Sequence, residues 1–366
     1  MSWIGRTSES GASAEGSAPR ASAGRGKPAL LAGALVFAAA SLGYLGLAIH
    51  STWFGGRASV EGAAYAGSRS SGLEAFNTEG LTVERRLIRS GGPGKDGIPS
   101  LTVGEHDEPP RVVGVGEAGF LEASARVVGV TVNGASRAYP MGVLNWHECV
   151  NDTLGGVPIA VIYCPLCDSA TVVDRRVGER VLEFGVSGLL LNSNVLLYDR
   201  QTEGLWSQAK LEAISGPMAG RSLTHLDGWR ITTFGEWRKR FGGSTVLGFE
   251  TGHRRDYGRN PYGGYFTNER LMFPVEREDD RLPRKARVVG VRVGGRAIAY
   301  PLERIAAEGG RLVETFDEGK LVLEASGDDE AVVSEAPEGA ETIHTFWFAW
   351  AAFHPKSEVY GAKKGQ

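Results

Sequence analysis

"RVVGVTVNGASRAYP", residues 126–140, returns almost unchanged as "RVVGVRVGGRAIAYP" at residues 287–301. Each copy opens on an alternating valine run, passes a glycine-containing pair and closes on a short strand ending in Tyr-Pro. The pairs Asn133-Gly134 and Gly294-Gly295 are two-residue hairpin signals. Two hairpins of one design in one chain predict an internal duplication. The resemblance extends outward. "VLEFGVSGLLLNSNVLLYD" follows the first copy and "LVETFDEGKLVLEAS" the second, and "ITTFGEWRKRF" has a counterpart in "IHTFWFAWAAF". Each aromatic stretch reads as a short helix closing its half, with Trp237 and Trp350 in comparable places. The expected fold is mainly β with short helices (α+β), an internally duplicated β-rich body. The first repeat half is placed at 81–250. The second, at 251–366, is shorter and has no cysteine.

Composition narrows the function. The chain has 366 residues and a formal net charge of -3. No basic stripe interleaved with aromatics appears, so no nucleic-acid partner is expected. The 52 glycines favour turns and short strands over long helices, and three cysteines argue against a disulfide-stapled scaffold. No Walker, dinucleotide, nucleophile-elbow or zinc-protease motif occurs.

The N-terminus reads differently. Residues 1–28 form a Gly/Ser/Ala-rich tail. "ALLAGALVFAAASLGYLGLAI", residues 29–49, carries no charge and as a helix would rise about 31 Å, which predicts one transmembrane helix. Arg20, Arg25 and Lys27 precede it and only Arg57 closely follows. The body is therefore expected outside the cytoplasm, on a single-pass cell-membrane anchor. Residues 50–80 read as a linker.

The first half holds the candidate chemistry. "IYCPLCDSA", residues 162–170, places Cys164 and Cys167 in Cys-x-x-Cys spacing, with strand-like residues on both sides. That spacing suits one metal ion, a small-loop disulfide, or two thiols packed as apolar side chains. "LNWHECVND", residues 144–152, supplies His147, Glu148 and Cys149. Apolar positions at 143, 144, 146 and 150 favour a short helix, which sends Cys149 elsewhere while His147 reaches the thiols. Two thiolates and an imidazole suit copper, zinc or iron. Glu148 would then orient the histidine or move a proton. "TGHRRDYGRNPYGGY", residues 251–265, reads as a structured loop whose Arg255 and Asp256 serve a substrate. "LLLNSNVLLYD", residues 189–199, reads as a buried strand pair with polar interruptions.

These motifs together resemble a bacterial and archaeal domain-of-unknown-function family, numbered 3179. The likeness runs through "GGPGKDGIPSL", "SRAYPMGVLNWHECVNDTLGGVPIAVIYCPLCDSATVVDR", "FGVSGLLLNSNVLLYDRQTEGLWSQ", "RRDYGRNPYGGY" and "FWFAWAAFHPKSEVY". It implies an exported or anchored domain and no settled activity. The family's Trp-His-Glu step falls on Trp146, His147 and Glu148, and its Cys-Pro-x-Cys step on Cys164, Pro165 and Cys167. Cys149 stands where members more often carry an aliphatic residue.

The expectation is a membrane-anchored extracytoplasmic metal-binding protein with a redox role. His147, Cys164 and Cys167 are its metal ligands, and Glu148, Arg255 and Asp256 its catalytic residues. A thiol-disulfide oxidoreductase and a noncatalytic binding or assembly domain are the alternatives.

Overall fold

Alternating valines and left-handed turns build the body strand by strand. The computed structural model describes residues 72–104, 109–326 and 330–362. Strand β1 (Arg126–Val132) turns into β2 (Ala135–Pro140), and helix α1 (Met141–His147) follows directly. Asn133 (φ 48°) and Gly134 (φ 81°) both take positive φ, the geometry that matches a hairpin's twist. Strands β3 (Cys149–Leu154), β4 (Val157–Cys164) and β5 (Ser169–Asp174) then form a meander. Strands β6 (Phe184–Leu191) and β7 (Asn194–Asp199) pair around a left-handed turn at Asn192 and Ser193. Strand β8 (Trp229–Thr233), helix α2 (Phe234–Arg240) and strand β9 (Thr245–Leu247) complete the first set.

The second set repeats the frame. Strands β10 (Arg287–Val293) and β11 (Arg296–Pro301) pair in the register of β1 and β2, with Val288 opposite Pro301 as Val127 is opposite Pro140. Helix α3 (Leu302–Ala307) follows, then strands β12 (Arg311–Phe316), β13 (Gly319–Ser326) and β14 (Glu330–Glu335). Strand β15 (Glu341–Phe346), helix α4 (Trp347–Phe353) and strand β16 (Glu358–Val359) close it. In each set the last strand pairs parallel to the hairpin's second strand, β9 on β2 and β16 on β11.

Each half completes the other's sheet. One sheet contains β12-β13-β14-β8-β1-β2-β9, so the meander of the second half extends the frame of the first. Another contains β3-β4-β5-β15-β10-β11-β16, so the meander of the first half extends the frame of the second. Pro-Leu-Cys at 165–167 forms the 3-10 turn between β4 and β5. The two post-hairpin stretches that look alike in sequence part company here. β6 and β7 lie in a separate five-stranded sheet, whereas β12 and β13 sit at the end of the first frame's sheet.

Mainly β with short helices is the observed class. The expected transmembrane helix, residues 29–49, lies outside the described residues. Among the described residues no helix is long and apolar enough to cross a membrane. Helices α1, α2 and α4 have seven residues each, a rise of about 10 Å against a hydrocarbon core of about 30 Å. The membrane anchor, the membrane as partner and the single-pass location all rest on residues 29–49, and no described helix supplies a span in their place.

Candidate functional site

Side-chain parity decides what meets what. Along β3 and β4, Cys149, Ile162 and Cys164 enter one apolar cluster, while Val150, Val161 and Tyr163 enter another. Successive side chains of a strand point to opposite faces, so the sheet stands between the two groups. Cys164 and Cys167 lie on the first face. Both thiols point at the carbonyl oxygen of Ser193, at 3.7 and 3.2 Å. His147 ends α1 on the second face. Its Nδ1 lies 2.7 Å from the Pro99 carbonyl and its Nε2 2.7 Å from the Tyr257 hydroxyl.

The expected His147/Cys164/Cys167 metal site is therefore not formed. Both imidazole nitrogens are engaged, the thiols face the other cluster, and among the described residues no group of three or more His, Cys, Asp or Glu is placed to hold a metal. Burial depresses His147 to about 4, with His253 and Arg255 adding to the effect, so the ring is neutral near pH 7. The cysteines are free and buried. Burial pushes the Cys149 thiol up to about 12, and burial together with the Cys164 sulfur raises Cys167. A raised thiol makes Cys149 and Cys167 poor nucleophiles, and with the imidazole on the other face the copper, zinc and redox expectations have no support here.

Glu148 stands apart. It caps α1 in the left-handed conformation (φ 57°), donating its N–H to the Leu144 carbonyl, and its own carbonyl accepts from Tyr163 N–H at 2.7 Å. The matching position after α3 is Gly309, φ 101°. Glycine is the residue that takes this backbone without strain, and a side chain there costs about 1 kcal/mol or more. The carboxyl is buried, 6% of the residue being exposed, and the Tyr262 hydroxyl donates to Oε1 at 3.2 Å. Other buried carboxylates are better provided. Asp152 has Arg137 and the Tyr139 hydroxyl. Asp168 has Arg126, Arg287 and the Tyr163 hydroxyl. Asp174 has Arg176, and Asp199 accepts from Trp206 and Thr202. With no cation among its influences, burial lifts the Glu148 carboxyl to about 7, against a smaller downward pull from Tyr262.

A long connector covers this carboxyl. Between β9 and β10 the chain has one regular element, a 3-10 turn at Gly263–Thr267. The connector lies over the thiol face through Tyr262, Phe266 and Phe273. The Tyr265 hydroxyl donates to the Leu166 carbonyl at 2.8 Å, Ser193 Oγ donates to the Phe273 carbonyl at 2.7 Å, and the buried Lys285 ammonium donates to the carbonyls of Tyr265 and Arg270. Such segments inside a compact body are usually lids or binding loops.

The other expected catalytic residues lie on the same connector, nearer the surface. Arg255 sits over the Trp146 ring at 5.8 Å and donates to the Arg254 carbonyl. Asp256 is exposed, and its Oδ1 accepts from Gly258 N–H. The polar run after Gly185 forms a closed network. Asn194 Nδ2 donates to Ser169 Oγ and Gln208 Oε1, and Gln208 Nε2 donates to the carbonyls of Ile162 and Ser169. Sequence reasoning missed Tyr262 as the partner of Glu148, although its Pro-Tyr-Gly-Gly setting marked a fixed turn.

The family model described as "Protein of unknown function (DUF3179)" matches residues 95–345. No curated protein and no solved structure matches the chain.

Proposed function

Because the chain belongs to the DUF3179 family, described as being of unknown function, we propose from the chemistry of the site that the protein is an acid–base enzyme for a small molecule, with Glu148 as its proton donor and acceptor. The observation that carries this reading is one buried carboxyl, held in strained backbone, without a cation, beneath a long connector. The structural acids of this fold have a counter-charge, as Asp152 and Asp168 do, or several donors, as Asp199 does, whereas Glu148 has the Tyr262 hydroxyl alone. An acid poised near 7 is suited to give and take protons at neutral pH. Tyr262 is the positioning residue and fixes one carboxyl oxygen. Substrate enters when the Tyr262 turn swings off the thiol face, and the thiols serve as an apolar floor.

Glu148→Gln tests the reading at two levels. Folded Glu148 holds its proton to about 7, whereas the ordinary value is 4.5. Between those pH values the folded state binds more protons than the unfolded one, so this group makes stability fall as pH rises. The contribution is fully present below 4.5 and lost above 7. Wild type minus Glu148→Gln, followed by urea unfolding, should change by up to about 3 kcal/mol across that window. At the level of function, both proteins are incubated with a metabolite mixture and followed by mass spectrometry. A compound consumed by wild type and spared by Glu148→Gln is expected. Equal consumption by both, or a carboxyl titrating near its ordinary value, sinks the reading.

A further inference from the structure

A second concave site lies away from Glu148 and shares no lining residue with it. It is a groove of about 340 Å³ between α2 and the β8-β14 seam, lined among others by Arg230, Lys239, Arg240, Phe241, Glu324 and Val332. Its volume falls in the range of small-molecule sites. Arg230 is unusual within it. Among the described residues its guanidinium has no hydrogen bond and no ion pair, its Nε is buried without a partner, and it lies over the Phe241 ring at 5.3 Å. Arg175, buried elsewhere in the fold, is hydrogen-bonded through its whole guanidinium. Arg175 donates to the carbonyls of Ile159, Leu182 and Asp152.

The repeat shows that no arginine is required at this place in the frame. Arg230 pairs with Gly129 in β1, and the residue pairing with the matching Gly290 is Ile343. Burial and the nearby Arg240 charge both act against the Arg230 cation, while Glu324 offsets them in part. Glu236, the other acid lining the groove, is engaged by Lys239 at 2.5 Å. A planar fork whose buried Nε has no partner, in a concave site with Arg240 and the Glu236-paired Lys239 at its rim, is an arrangement that receives an oxyanion in two parallel hydrogen bonds. Phe241, Ala325 and Val332 supply apolar wall beside it.

We propose that this groove binds a small organic anion, with a carboxylate or phosphate head on Arg230 and an apolar body against Phe241 and Val332. The pairing of β8 with β14 builds the site from both halves.

The test uses the full chain labelled with 15N-arginine, titrated with phenyl phosphate, benzoate and inorganic phosphate at matched ionic strength. The Arg230 Nε–H signal, assigned by its loss in Arg230→Lys, should shift saturably with either organic anion. Inorganic phosphate, which lacks the apolar body, should bind about tenfold more weakly. Arg230→Lys keeps the charge and loses the fork, and should weaken phenyl phosphate about tenfold. Arg240→Gln, at an exposed position that leaves the fold intact, should weaken it about threefold. Saturation by phenyl phosphate but not benzoate identifies a phosphate head, and the reverse a carboxylate. No saturable shift of the Arg230 signal with any probe, or undiminished binding by both variants, overturns the proposal.

Discussion

The two halves share a frame and differ in what they hang on it. In the first, a side chain at Gly129 would overlap the Trp237 ring, whose Nε1 donates to Ser244 Oγ at 2.9 Å. In the second, a side chain at Gly290 would overlap the Trp350 ring, whose Nε1 donates to Ser357 Oγ at 2.6 Å. One packing solution therefore occurs twice: a glycine on the hairpin, a tryptophan lying on it, and a serine seven residues on holding the indole. Beyond the frame the halves diverge. The left-handed position after the first helix is Glu148 in one and Gly309 in the other. The half whose backbone is eased by glycine has no buried acid there. The half that bears the strain carries the candidate chemistry. Strain kept in one of two equivalent places points to a role for the side chain that causes it.

Asp168 joins the halves, and its loss should have the largest effect. The carboxylate meets Arg126 at 3.1 Å and Arg287 at 2.6 Å, which are the first residues of the two repeated stretches. Burial pushes this acid up, yet Arg126 and Arg287 outweigh burial and hold it below its ordinary value. Its stabilising contribution is present above the unfolded value, near 3.8, and is lost as pH falls through the folded one. Asp168→Asn leaves two half-buried guanidiniums without their anion and should cost about 3–5 kcal/mol at pH 7 in urea unfolding. A cost under about 1 kcal/mol would mean that the halves are held by sheet pairing alone. Arg126→Ala and Arg287→Ala sharpen the comparison, because equal costs are expected if the joint is as symmetric in energy as in position.

Much of the frame can be read in the sequence, because local pattern decides it. The alternating valines and the pairs Asn133-Gly134 and Gly294-Gly295 carry their own geometry, and the apolar spacing at 143, 144 and 146 marks a helix, although Val150, counted with it, belongs to strand β3, which carries Cys149 into the thiols' cluster. Cys-Pro-Leu-Cys between two extended runs is a turn. Partnerships between distant segments could not be read this way. Any alternating strand offers the same backbone groups to any neighbour, so nothing in β5 names β15. The separation of His147 from the thiols turns on strand parity, which one residue reverses. Hence the metal expectation failed although its residues lie close together in the chain. Glu148 was visible as an acid beside a histidine, but its missing counter-charge depends on which arginines arrive from elsewhere. The connector carrying Tyr262 has no periodicity, so its path over the thiol face left no pattern to read.

Substitutions at the paired glycines should come next in size. Gly129→Ala and Gly290→Ala each force a methyl into an indole ring that is buried and hydrogen-bonded. Overpacking of this kind costs about 1–3 kcal/mol. Comparable losses in midpoint from both variants would establish that the two Gly–Trp contacts are equivalent in energy. A large cost at Gly129 with a negligible one at Gly290 would mean that the second half relaxes more easily. The double variant should show additive costs if the contacts act independently.

The smallest effect is expected at the indole hydrogen bonds. Trp237→Phe and Trp350→Phe keep an aromatic ring over the glycine but remove the donor to Ser244 or Ser357. Losing one such bond should cost about 1–2 kcal/mol, plus the packing lost with the smaller ring, and Ser357 Oγ keeps its bond to the Glu358 carbonyl. Ser244→Ala and Ser357→Ala approach the same bonds from the other side, with almost no change in volume. The Trp–Ser double variants separate the two contributions. If the hydrogen bond is the shared term, each double variant costs less than the sum of its singles by about 1 kcal/mol, and by a similar amount in each half. Coupling in one half alone would leave the repeat a duplication of shape, with the indole anchor contributing energy on one side of the molecule.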